Sequence, residues 1–252
     1  MKKTGRVTKI FLTGVILSIA TCNAALAALT IDRTRLVYDE GTKSLSLNIT
    51  NHDAAAPYLA QGWVEDEQAQ KAAEKFVTIP PLQRIDAGGK SIVRIEAMPD
   101  TASLPKDRES VFWFNLREIP RKNQQGNVLV LALQTSIKVF WRPKNLAVDP
   151  SAQVLPGADK LTLEMKGNSI RVNNPTPYYY SFVDIRRSEK QKGVPGFEAT
   201  MAAPFSSIDL PVNPAAVGQT PALIYVNDYG SMKVLSFKCS GATCRSDGKN
   251  SK

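Results

Sequence analysis

The chain has a single histidine and three cysteines among its 252 residues. A lone histidine without placed partners offers little for nucleophilic or acid–base catalysis, and no glycine-rich phosphate loop, nucleophile elbow or cluster of metal-ligand residues makes up for it. Glu65, Asp66 and Glu67 adjoin one another, but in a polar run with no sign of burial. No catalytic residue, metal site or cofactor is therefore assigned, and an enzyme is not expected. His52 lies in the turn tripeptide Asn51-His52-Asp53 and reads as a surface turn residue. Blocks of one charge are missing as well: the formal net charge is +9, yet lysines and arginines are scattered between acids. With no nucleic-acid-binding signature beside them, this pattern argues against a nucleic-acid partner and for a solvated surface with one functional basic site.

Long apolar runs are also lacking. The stretch Ile10–Ala20 stops well short of the ~18 continuous residues of a membrane span. It follows Lys2, Lys3, Arg6 and Lys9 and precedes Ala25-Leu26-Ala27, a small-x-small cleavage site, so residues 1–27 read as a secretory signal peptide. Ile19-Ala20-Thr21 before Cys22 fits a lipoprotein signal poorly. Cleavage leaves an exported, soluble chain starting at Ala28, with no membrane span. Two cysteines remain, Cys239 and Cys244, and in an oxidising compartment their spacing reads as a local disulfide closing a hairpin.

What is present is alternation. "SLSLNIT" at 44–50 sets Leu45, Leu47 and Ile49 against Ser46, Asn48 and Thr50, the pattern of a half-buried strand. Comparable segments occur at 30–38, 58–64, 75–79, 90–97, 110–119 and 128–141, divided by turn signals such as "DAGG" at 86–89. Seven strands at this spacing predict an immunoglobulin-like sandwich. Glu65–Glu74 is the one helical candidate and reads equally well as a polar hairpin loop. Pro143 and Pro150 bracket a polar stretch at 142–151, a domain elbow, after which further strands are expected at 161–165, 169–173, 178–186, 206–210, 222–226 and 233–239. The fold class is all-β: two immunoglobulin-like sandwich domains joined by an elbow, at 28–147 and 148–245, with a polar, disordered tail at 246–252. Asn115 is expected to be a buried amide bonding backbone, and Pro80-Pro81 marks a turn where a cis peptide fits.

One segment resists this simple account. "NVLVLALQTSIKVFWRP", Asn127 to Pro143, has Leu129, Leu131 and Leu133 on one side and Val128, Val130 and Ala132 on the other, so it is apolar on both faces, and Lys138 then interrupts it. Alternating leucines ordinarily face their own sheet, and isolated cations are ordinarily solvated.

Here the chain resembles a known family. "LPKDRESVFWFNLREIP" at 104–120 is similar to the signature of the periplasmic pilus assembly chaperones, the PapD-like family. "ALTIDRTRLVYD", "PYLAQGWVED", "IPPLQRID", "IKVFWRP" and "VNDYGS" resemble further family blocks and stand in the family's order. The resemblance implies a periplasmic chaperone that lends a strand to an incomplete pilus subunit and delivers the complex to an outer-membrane usher. It implies that Leu129, Leu131 and Leu133 fill the subunit's groove, one face of the strand belonging to this protein's core and the other to the client. It further implies that Arg35 and Lys138 grip the subunit's C-terminal carboxylate through charge-assisted bonds, which also fixes register. Glu109, Arg142 and Asp228 match the family's inter-domain ion network. Leu133 and Lys138 are five positions apart, so either a bulge near 134–136 brings them to one face or the anchor is reached from the other face at the cleft.

The short connection "RKNQQG", with no cysteine pair in the first domain, resembles the short-loop subclass serving rod-like pili with adhesive tips. A fibre subunit of the same sandwich type would carry a donor extension or lack a strand, whereas this chain begins its first strand at once. An exposed, sticky strand is an aggregation hazard, so transient self-dimerisation capping that edge is expected.

Overall fold

The computed structural model describes residues 28–121 and 131–250. The signal segment, Leu129 and most of the "RKNQQG" connection lie outside the described residues. Nine strands build the first sandwich: β1 (Leu29–Ile31), β2 (Arg35–Asp39), β3 (Ser44–Asn51), β4 (Tyr58–Glu65), β5 (Phe76–Ile79), β6 (Leu82–Ile85), β7 (Lys90–Ala97), β8 (Ser110–Ile119) and β9 (Gln134–Arg142). They form two facing sheets, ordered β1-β3-β7-β5 and β2-β9-β8-β4-β6. Leu47, Ile49, Val93 and Ile95 from one sheet meet Leu36, Tyr38, Phe114 and Val139 from the other in a single core, and full burial of each such side chain contributes about 1.5–3 kcal/mol.

Several expectations are corrected here. The segment foreseen as one strand at 30–38 is two, because the chain changes sheets: β1 pairs antiparallel with β3, and β2 pairs parallel with β9. Asp32 secures the crossing, its carboxylate accepting from the backbone and side-chain amides of Asn48 at 3.2 and 2.6 Å. β6 was not foreseen, since a proline pair divides it from β5, and the cis bond is Ile79-Pro80 rather than the one between the prolines. Of the two readings of Glu65–Glu74 the loop holds: Asp66 Oδ1 accepts from the amides of Gln68 and Gln70, closing a turn.

Eight strands build the second domain: β10 (Thr162–Lys166), β11 (Ser169–Asn174), β12 (Tyr180–Arg186), β13 (Thr200–Ala202), β14 (Ser206–Leu210), β15 (Ala222–Val226), β16 (Met232–Ser240) and β17 (Thr243–Asn250). Their hydrogen-bonded order is β13-β12-β15-β16-β17-β10-β11-β14. The outermost strands, β13 and β14, are separated in sequence only by Ala203–Phe205, so the run curls over a core of Leu163, Val172, Phe182, Tyr225 and Phe237. The polar tail is a correction: β17 continues to Asn250, pairing Lys238 with Arg245 and Phe237 with Ser246. Backbone ladders do not require apolar side chains, and the disulfide between Cys239 and Cys244, which are register partners, closes the hairpin that starts this one.

Candidate functional site

β9 positions the site. Its odd-numbered residues Ile137, Val139 and Trp141 are buried in the first domain's core, while Lys138, Phe140 and Arg142 face the second domain. β8 covers one edge of β9 without interruption, from Arg117 opposite Gln134 to Ser110 opposite Trp141, and the Glu118 amide donates to the Leu133 carbonyl at 3.0 Å. The ladder contains no bulge, so Leu133 and Lys138 do lie on opposite faces and the cation is reached from the cleft side.

The leucines themselves need a second correction. Leu131 and Leu133 share the parity of the core residues, so they continue the core-facing side of the strand past the end of the sandwich, where they are 65% and 41% exposed. One face thus serves both the protein's own core and an exposed ridge. The assigned strand starts at Gln134, not Val128; Leu131–Leu133 precede it, and Leu129 falls outside the described residues. On its other edge β9 meets β2 only from Lys138 onward, leaving the backbone of Gln134–Ile137 unpaired on that side among the described residues. Such an edge is a template for another chain.

The unpaired stretch ends at a cation pair. Parallel pairing sets Arg35 directly opposite Lys138. Across the cleft, Arg35 Nη1 donates to the Val226 carbonyl at 2.8 Å, and Lys138 Nζ lies 3.4 Å from Ser181 Oγ. Ser181 and Val226 are register partners in β12 and β15, so one strand pair of the second domain receives both cations. Among the described residues no carboxylate forms an ion pair with either, and Arg35 Nε is buried without a hydrogen-bond partner. Burial, with the charge of Arg35 beside it, pushes the Lys138 ammonium below its ordinary value; burial lowers Arg35 too, partly offset by Asp228. Two crowded cations without a carboxylate make a site for an anion. Arg35 also lines a neighbouring inter-domain cleft of about 590 Å³, to which Lys138, Ser181 and Val226 do not contribute.

The three ion-network residues come together at the elbow. Arg142, 3% exposed, donates through Nε to Glu109 Oε1 at 2.8 Å and through both terminal nitrogens to Asp228 at 2.7 and 3.0 Å. Glu109 also accepts the Tyr179 amide at 2.8 Å and donates its own amide to Pro177 O, joining the domains along the backbone. Arg142 is held above its ordinary range: burial opposes its charge, but Asp228 and Glu109 outweigh that. Burial pushes Glu109 up to about 7 against the attraction of Arg142. From this follows a pH dependence. Between the unfolded value of 4.5 and about 7 the unfolded chain releases the Glu109 proton while the folded one keeps it, so the contribution of Glu109 to stability is level below pH ~4.5 and falls as pH rises toward 7. Thermal melts across that range should show the slope in the wild type and lose it in Glu109→Gln; equal slopes would refute the assignment.

Sequence reasoning missed Asp39, Ser181 and Val226. Asp39 sits opposite Arg142 in the β2–β9 register, and burial raises its carboxyl although Arg142 pulls it down. Only the parallel pairing reveals it. Asn115 is buried, but its Oδ1 accepts from Gln134 Nε2 at 3.1 Å instead of its amide bonding backbone, and its Nδ2 has no partner. His52 bonds Thr30 Oγ1 at 2.8 Å, a strand-end contact.

Comparisons with known proteins agree along the chain. A family model described as pili and flagellar-assembly chaperone, PapD N-terminal domain, matches residues 28–147, and one described as pili assembly chaperone PapD, C-terminal domain, matches 156–237. The chain is 42% identical over 233 residues to the probable fimbrial chaperone YfcS of Escherichia coli K12, covering 92% of this chain and 91% of that protein. It is 43% identical over 223 residues to the chaperone protein PapD of Escherichia coli, covering 88% and 91%. Among solved structures, the periplasmic chaperone SfaE superposes with a TM-score of 0.65 at 30% identity, over 81% of this chain and 95% of that one.

Proposed function

The chain belongs to the pilus assembly chaperone family, and on that premise we propose that it captures pilus subunits in the periplasm by lending them the open edge of β9. The observation that carries this reading is the unpaired backbone of Gln134–Ile137, preceded by exposed leucines and ending at Arg35 and Lys138. A subunit lacking its last strand adds to that edge through main-chain hydrogen bonds, and its groove takes alternate side chains. Leu131 and Leu133, with Leu129 before them, fill the groove; the subunit's terminal carboxylate enters the cleft between the two cations. From Leu133 to Lys138 the strand spans about 17 Å, so ridge and anchor together set which subunit residue meets which leucine. Glu109, Arg142 and Asp228 hold the domains so that Ser181 and Val226 stand over the anchor. The complex is then passed to an outer-membrane usher, and self-pairing through the same edge competes with capture while no client is bound. Export follows removal of residues 1–27.

Single substitutions of the ridge test this. Leu131→Ala and Leu133→Ala should each weaken capture of a co-expressed fimbrial subunit by about 1.5–3 kcal/mol, roughly ten- to 150-fold. Because both side chains are exposed in the free protein, its melting temperature should hardly move. Undiminished subunit recovery with either variant would place the client elsewhere.

A further inference from the structure

Glu118 plays no part in the mechanism above, yet its side chain is enclosed: it stands on the core-facing side of β8 and is 5% exposed. Among the described residues no lysine or arginine forms an ion pair with it; Arg121, three positions on, is exposed and donates to the Ala55 carbonyl at 3.5 Å. Its hydrogen bond is from the Leu29 amide, which donates to Glu118 Oε2 at 3.0 Å. A buried carboxylate without a counter-ion carries a heavy desolvation penalty, so a cation at this spot would matter.

The position of that amide suggests one. Leu29 is one residue past Ala28, the first residue left when the chain is cut after Ala27. Ala28 is fixed in place, since its carbonyl accepts the His52 amide at 2.7 Å and Leu29 pairs with Asn51. Consecutive Cα atoms are about 3.8 Å apart, so the nitrogen of Ala28 lies next to the one already bonded to Glu118. In the uncut chain that nitrogen is a neutral amide; after cutting it is an ammonium.

We propose that the α-ammonium of Ala28, released by leader removal, is the counter-ion of Glu118, so that the fold is completed only in the processed protein. The pair sits at the root of the leucine ridge, because the Glu118 amide donates to the Leu133 carbonyl. β1 belongs to one sheet and β8 to the other, so the ion pair braces both sheets at the end where the client docks.

The inference rests on cleavage after Ala27, which intact mass of the purified periplasmic protein checks separately; a mature chain starting elsewhere overturns it. The test is a thermal-unfolding cycle on four exported proteins: the wild type, one with Gly-Ser inserted between Ala27 and Ala28, Glu118→Gln, and both changes together. The insertion moves the ammonium two residues away and should lower the melting temperature by about 2–4 °C in the wild-type background, and by nothing in Glu118→Gln. Equal losses in both backgrounds, or none in the wild type, refute the pair. Should Glu118→Gln not fold, nuclear magnetic resonance titration of the wild-type α-amine decides: a pKa above the ordinary ~7.7–8.0 supports the pair, and a value within that range overturns it.

Discussion

Replacing both Arg35 and Lys138 with alanine should abolish capture of a pilus subunit and leave the free protein folded. Each charge-assisted bond to a carboxylate is worth about 1.5–3 kcal/mol, so the double change should cost about 3–6 kcal/mol, roughly 150- to 25,000-fold in affinity. Free stability responds differently. The two cations face each other across a parallel register, and burial and mutual repulsion disfavour the charge on Lys138. Lys138→Ala alone therefore relieves repulsion while losing one 3.4 Å contact to Ser181, and its melting temperature should stay near that of the wild type. Affinity for a peptide copying a subunit's C-terminus, with a free and with an amidated end, separates the anchor from the zipper. The wild type should discriminate between the two ends and the double variant should not. Subunit recovery equal to wild type would remove the anchor and leave the strand-lending reading standing.

Arg142→Ala should have the largest effect on the protein itself. It strands Glu109, which is 3% exposed, and leaves Asp228 without its two-pronged partner. Breaking a buried ion pair by removing one member costs about 3–5 kcal/mol, enough to lower the melting temperature by about 6–20 °C in a chain of this size. Arg142→Lys keeps the charge but cannot bond both carboxylates in the same geometry, so it should recover part of the stability. Since Arg142 spans the elbow, small-angle scattering should also show a changed domain arrangement in the alanine variant. An unaltered scattering profile together with an unaltered melt would mean that the elbow is held by backbone contacts such as Glu109 to Pro177.

Much of the fold could be read along the chain because strand alternation is a local signal with a period of two. The segments at 44–50, 90–97 and 110–119 matched strands almost to the residue. What failed was anything requiring knowledge of a strand's neighbours. The change of sheet between β1 and β2, the continuation of β17 into a polar sequence and the strand β6 behind a proline pair all depend on partners distant in sequence. The candidate site shows the same division. Arg35, Lys138, Glu109, Arg142 and Asp228 were named from motifs, but Asp39, Ser181 and Val226 appear only once register is known.

The amino-acid order alone determined that this protein is built from alternating strands in two sandwiches, that one strand is greasier than its own core needs, and that a cation interrupts that strand. Those are properties of side chains and their spacing. Tertiary structure decided the rest: that Leu131 and Leu133 lie on the same side as the core residues of β9 but beyond the sandwich, that the cation faces the other way into a cleft, and that a second cation stands opposite it. The reason is that a strand's hydrogen-bonding edges are the same whatever its side chains, so which edge is covered and which stays open is settled only when strands remote in sequence dock beside it.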